Sequence, residues 1–197
     1  LTLPDGGLAT TVLDAARRHE HPAVLNHSVR TYLHAARIAE GRDLHVGTDY
    51  DPDLLFYACV LHDIGTADAY DGPSRFEVEG ADAAAGLLRE AGVDAAGVDQ
   101  VWEAIALHTS PQIAERRGPV TMLTRLGVLR DFGDPTLDTH DLRPVIEDRY
   151  PRLGVERELK ALVVAQALRR PGKAPKSSWP SVLLRSHLGE APDPNEF

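Results

Sequence analysis

The sequence predicts an all-α protein, a single-domain helical bundle. Three observations carry that expectation. Apolar residues recur at three- and four-residue intervals through most of the chain. Proline, glycine and Asp/Ser residues punctuate those stretches where helices begin and end. No alternating apolar–polar run of useful length reads as a strand, and no internal repeat is present. With 197 residues, the chain is long enough for one compact domain with a real core and short for two.

Pro4-Asp5-Gly6-Gly7 reads as a turn, and residues 8–20 as a first helix with Leu8, Val12, Leu13 and Ala16 at helical spacing. His21-Pro22 interrupts it. A second helix follows over 24–40, with Leu25, Val29, Tyr32 or Leu33, and Ala36 as its apolar stripe and Gly41 as the residue just past its end. After a polar loop, Asp51-Pro52 has the form of an N-cap followed by proline in the first turn. The helix it opens runs towards Asp63 and is apolar nearly all round, so it should be the central buried one. Ser74-Arg75-Phe76-Glu77 has the capping-box pattern and predicts a fourth helix to about residue 90. Further helices are expected over 95–108 and 119–130, a short one over 142–147, and a clear one over 156–169.

Past Arg170 the composition shifts to Pro, Lys, Ser and Gly. Residues 1–170 are therefore expected to form the domain, and 171–197 a Pro-rich extension with one short helix over 179–188. The basic residues Arg169, Arg170, Lys173 and Lys176 read as a solvated linker, and the end of the chain, from Ala191, as frayed.

The formal net charge is −9. That argues against a broad nucleic-acid surface and against anionic membranes, and leaves room for a small molecule in a locally positive pocket. The one cysteine, Cys59, lies in an apolar run and reads as a reduced core thiol, which suits a cytoplasmic protein. No apolar stretch has bilayer length and no signal-peptide pattern opens the chain, although it begins at Leu1 rather than Met. The apolar segment from Trp179 to Leu184 leaves a homo-oligomer open.

The nine histidines are the unusual feature. His62-Asp63 ends the most apolar helix, where two ionisable groups are costly unless satisfied. An acidic residue at a helix C-terminus opposes the dipole and calls for a cation. Imidazole with carboxylate suits zinc, iron or manganese. His27, His108 and Asp131 also sit on mainly apolar helices, and a bundle can bring such inward side chains to one core site. His19, His21, His34, His45, His140 and His187 read as structural or exposed, with His34 two turns beyond His27 on the same face.

Taken together, Asn26-His27-Ser28-Val29-Arg30, then Ala58-Cys59-Val60-Leu61-His62-Asp63-Ile64-Gly65, then Asp131 resemble the H…HD…D signature of the HD-domain superfamily. The resemblance covers residues 8–134. It implies an HD-type bundle and one divalent metal, Zn2+ first with Fe2+ or Mn2+ compatible, held by His27, His62, Asp63 and Asp131.

Within the superfamily the sequence looks most like the cyanamide hydratase branch, on Asn26-His27-Ser28, His62-Asp63-Ile64-Gly65-Thr66, Arg75-Phe76-Glu77-Val78-Glu79-Gly80-Ala81 and Ala104-Ile105-Ala106-Leu107-His108-Thr109. That implies attack of a metal-activated hydroxide on the carbon of a nitrile-like C–N compound, such as cyanamide going to urea. His108, with Asp63, is expected to carry the proton transfer. Asn26, Thr66, Arg75 and Glu77 are candidates to bind substrate, though the capping-box pattern offers Glu77 a purely structural role. The alternative is an HD phosphohydrolase acting on a nucleotide or phosphate ester. Thr66 stands where many of those have lysine. A di-iron oxygenase needs more histidines between Asp63 and Asp131 than His108 alone. A non-catalytic sensing module is not favoured by a filled set of metal positions.

Overall fold

A computed structural model describes residues 2–137 and 142–190. Among these there is no strand. The chain forms α1 (Gly7–His19), α2 (Pro22–Gly41), α3 (Pro52–Leu61), α4 (Phe76–Glu90), α5 (Ala95–Leu107), α6 (Pro119–Asp131), α7 (Arg143–Arg149), α8 (Val155–Arg169) and α9 (Trp179–Leu188). The all-α expectation holds, with most boundaries displaced by a residue or two. His140 and the expected frayed end lie outside the described residues.

Local chemistry accounts for the starts. Asp51 caps α3 by accepting from the N–H groups of Asp53 and Leu54, with Pro52 in the first turn. His21 does more than interrupt: its Nδ1 accepts from Ala23 N and so caps α2. The capping-box expectation at α4 fails. The helix starts at Phe76 with Arg75 as its N-cap, and the Ser74 N–H goes to Glu79 instead of Glu77. Glu77 is thereby free to face inward.

Every residue of α3 from Leu54 to Leu61 is buried. It is the central helix, as its unbroken hydrophobicity implied. Around it pack α1, α2, α5 and α6. Cys59 sits fully buried here, and burial pushes its thiol up to about 12. The most extensive helix pairing is α2 with α6. Its closeness depends on Gly127, where a Cβ would meet Thr31 O and the Ala35 side chain.

After α3 the chain turns through a 3-10 segment, Ile64–Thr66, pressed against the start of α4. A Cβ on Gly65 would lie 2.6 Å from Gly80 N and closer still to the Phe76 carbonyl. Both neighbours are backbone and cannot step aside. Gly65→Ala should therefore cost about 1–3 kcal/mol in stability, read as a lower denaturation midpoint. A midpoint equal to that of the unmutated protein would show that the contact yields freely.

The C-terminal extension differs from expectation. Lys176 is exposed, but Arg169, Arg170 and Lys173 do not form a solvated linker. Lys173 is 2% exposed and donates to Asp71 (3.0 Å) and to Gly72 O (2.9 Å). Arg169 and Arg170 also pair with Asp71. This clamp turns the chain back, and α9 packs along α8. A second apolar cluster forms there from Ala23, Val24, Phe76, Val155, Leu159 and Val163, with Trp179 and Leu183 against it. No helix among the described residues is long and apolar enough to cross a membrane.

Candidate metal centre

The structure brings His27, His62 and Asp63 together in the buried centre of the bundle, with ligand atoms all within 4.8 Å of one another. His27 comes from the first turns of α2, His62 from the end of α3 and Asp63 from the residue after it. His62 Nε2 lies 3.2 Å from Asp63 Oδ2, and His27 Nε2 lies 3.7 Å from the same oxygen. His108, at the end of α5, places Nε2 3.5 Å from the other oxygen, Oδ1.

Hydrogen bonds fix how these rings are protonated. His62 Nδ1 is 2.8 Å from Cys59 O, and His108 Nδ1 is 2.6 Å from Ile105 O. A carbonyl can only accept, so each Nδ1 donates and each Nε2 is left bare when the ring is neutral. His27 Nδ1 lies 2.6 Å from Asp131 Oδ2, which has the same effect. The bare Nε2 atoms of His27 and His62 then face each other at 3.2 Å. Neither oxygen of Asp63 has a hydrogen-bond partner, although the residue is 1% exposed.

Two opposed nitrogen lone pairs beside an unpartnered buried carboxylate are an unfavourable arrangement on their own. A cation between them resolves it. This donor set, two imidazoles and a carboxylate, fits a divalent transition metal.

The same contacts set the charge balance of the protein groups themselves. Burial raises the Asp63 carboxyl, but His62 and His108 outweigh it and hold it well below the usual range. Burial lowers His27 more than Asp131 raises it. His62 is pulled down by burial, yet Asp63 and the Cys59 carbonyl leave it raised.

Asp131, expected as a ligand, lies against the far side of the His27 ring, with Oδ2 2.6 Å from Nδ1. Arg30 donates Nε to its Oδ1 at 2.7 Å and Nη2 to its Oδ2 at 2.8 Å, while Oδ2 also takes the His27 proton. Arg30 is fully buried and reaches on to Tyr150 O and Pro151 O. Burial raises Asp131, but Arg30 and His27 prevail and hold it far below the ordinary carboxylate range. The arrangement is a carboxylate–histidine pair that orients a ring from its far side.

The four residues expected to bind substrate have other partners. Asn26 donates to Pro151 O, and Thr66 donates to Asp63 O. Arg75 and Glu77 form a two-bond ion pair joined by the Thr109 hydroxyl, which lies 2.6 Å from Glu77 Oε1. That network ties the start of α4 to the turn carrying His108. None of the four is among the residues lining the cavity over the site, whereas Thr109 is.

Sequence reasoning missed Arg30 and Glu20. Glu20 is 6% exposed, and Ser28 donates to one of its oxygens. Burial first, and then the nearby Asp63 charge, push its carboxyl well up.

His34 is also fully buried, with Nε2 3.7 Å from Asp131 Oδ1. Burial, with help from Arg130, Arg143 and Arg30, lowers it to about 4 from 6.5. A depressed folded value stabilises the fold above pH 6.5, and that contribution is lost as pH falls through about 4. Between neutral pH and about pH 4.5, the unmutated protein should lose about 2–3 kcal/mol more than His34→Leu. Parallel stability–pH curves in urea denaturation would refute this.

The HD domain family matches residues 24–167. The chain is 31% identical over 163 residues to cyanamide hydratase DDI2 of Saccharomyces cerevisiae, covering 76% of this chain and 68% of that protein. Cyanamide hydratase DDI3 of the same yeast gives the same identity and coverage. A match over residues 24–167 is most of the chain, and the chain belongs to the HD domain family of metal-dependent enzymes.

Proposed function

We propose that the protein is a mononuclear metal-dependent hydratase acting on a small C–N compound of the nitrile type, with cyanamide going to urea as the reference reaction. The observation that carries this reading is the pair of bare Nε2 atoms, 3.2 Å apart, beside the unpartnered Asp63 carboxylate. Similarity to two proteins named cyanamide hydratase supports the choice of reaction.

His27 Nε2, His62 Nε2 and Asp63 would hold the metal, zinc ahead of iron or manganese, and Asp131 would lock the His27 ring. Such a metal, when bound, makes water nucleophilic near neutral pH and polarises an electrophilic group. Hydration places the oxygen of water on the nitrile carbon and both of its hydrogens on nitrogen. A proton must therefore change atoms within the site. His108 Nε2 is bare, buried and on the cavity wall, so it accepts that proton and returns it to the nitrogen. The described part of the C-terminal extension belongs to the catalytic unit, because Ser178, Trp179 and Leu183 help to close the cavity. Thr66 in place of lysine and a mainly apolar wall weigh against phosphate esters.

Elemental analysis of the purified protein, with urea production from cyanamide measured on the same sample, tests the reading. About one equivalent of zinc or iron with urea formed is the expected result. Metal without urea, and phosphate released from nucleotides, would replace it with the phosphohydrolase. His108→Ala should keep its metal and lose on the order of 10²-fold in turnover. Loss of the metal in that variant would make His108 a ligand instead.

A further inference from the structure

The cavity over the metal centre is far larger than the reference substrate needs. Its volume is about 580 Å³, within the range of pockets that bind drug-sized molecules. Cyanamide needs roughly the room of two waters, about 60 Å³ at about 30 Å³ each. His27, His62, Asp63 and His108 form the polar end of this space. Away from them the walls are apolar: Phe132 after α6, Leu159 on α8, and Trp179, Val182 and Leu183 on α9. Phe132 lies against the His27 ring, with centroids 4.6 Å apart, and Val182 is 52% exposed at the rim.

The charged residues of the lining are already engaged. Arg125 donates to His108 O and pairs with Glu115. Glu156 is held by Arg152, and Lys160 donates to Ser186. Apart from Lys160, whose charge a serine hydroxyl does not neutralise, the space offers an apolar wall rather than an ion to a bound molecule. Trp179, Val182 and Leu183 also come from beyond residues 24–167, the part that matches the family. Phe132 and Leu159 lie within that part, so the wall joins the family core to the segment that follows it.

We propose that the cavity selects a substrate with a neutral, apolar, ring-sized body, a substituted cyanamide R–NH–C≡N rather than cyanamide itself. The reaction is R–NH–C≡N + H2O → R–NH–CO–NH2. The water oxygen bonds to carbon, the C≡N triple bond is reduced to a single bond, and both water hydrogens end on that nitrogen. The proposal rests on the hydratase reading for its chemistry and on the α8–α9 wall for its selectivity.

The test compares cyanamide with benzylcyanamide as substrates of the metal-loaded protein, and measures benzylcyanamide binding by calorimetry. Burying a benzyl group should favour benzylcyanamide in kcat/KM by about tenfold or more. Trp179→Ala and Leu183→Ala should each reduce that ratio several-fold, chiefly through KM, and Trp179→Phe should restore most of it. Because the ratio is internal to each variant, partial misfolding does not mimic the effect. Preference for cyanamide, or a ratio that neither variant moves, would overturn the proposal and leave the hydratase reading standing. If neither compound is hydrated, benzylcyanamide binding that weakens in Trp179→Ala would uphold selection of the apolar body while the hydratase reading falls. No binding at all would overturn the selection as well.

Discussion

Arg30→Ala is expected to destabilise the protein by about 3–5 kcal/mol, the usual result of removing one partner from a buried ion pair. Arg30 and Asp131 are both fully buried. The guanidinium meets both carboxylate oxygens, at 2.7 and 2.8 Å, and its third nitrogen donates to Tyr150 O at 3.0 Å and Pro151 O at 3.2 Å. One side chain thus joins α2, the end of α6 and the segment leading into α8. Without it, Asp131 keeps His27 and a longer contact to Arg152, at 3.5 Å, and two carbonyls lose a donor. Arg30→Lys restores charge but not the planar fork, so its stability should fall between the two. Arg30→Ala combined with Asp131→Ala should cost less than the sum of the single changes, because the stranded charge is gone. Urea denaturation of the unmutated protein, the three single variants and the double variant checks this. A loss under about 1 kcal/mol for Arg30→Ala would mean that Arg152 or water takes over the carboxylate.

What the sequence made legible follows from how local each signal is. The Asp51-Pro52 cap and the bounds of α9 depend on neighbours within a turn, and both were readable. The burial of α3 was readable because no face of it is polar. The convergence of His27, His62 and Asp63 was readable through the order of their motif. The partners of Asp131 were not, because Arg30 lies 101 residues away and a lone arginine on a helix looks like a surface residue. Glu77 was misread for the opposite reason. The pattern from Ser74 to Glu77 is a good local cap, but a helix start one residue later gave the cap bond to Glu79 and turned Glu77 towards Thr109. The cavity wall was hidden too, since its residues come from α6, α8 and a Pro-rich extension whose docking depends on the Asp71 clamp.

Removing the metal should have the largest effect on function. Addition of zinc to protein freed of metal should raise its stability by about 4 kcal/mol at a thousandfold excess over Kd, because only the folded chain presents the donors together. His62→Ala and Asp63→Ala should lose that increment, hold no metal after dialysis and show no turnover. The effect extends beyond a lost bond. The two Nε2 atoms lie 3.2 Å apart beside a buried Asp63 carboxylate without a hydrogen-bond partner, a donor set that a cation satisfies. Asp131→Asn separates ligation from orientation. If Asp131 acts through His27, as its 2.6 Å contact with Nδ1 indicates, that variant should still bind metal about 10–100-fold more weakly. If it strips the metal as fully as Asp63→Ala, Asp131 is a ligand and the His27 ring turns when the metal enters. Full metal retention in both His62→Ala and Asp63→Ala would place the metal elsewhere and remove the basis for the hydratase.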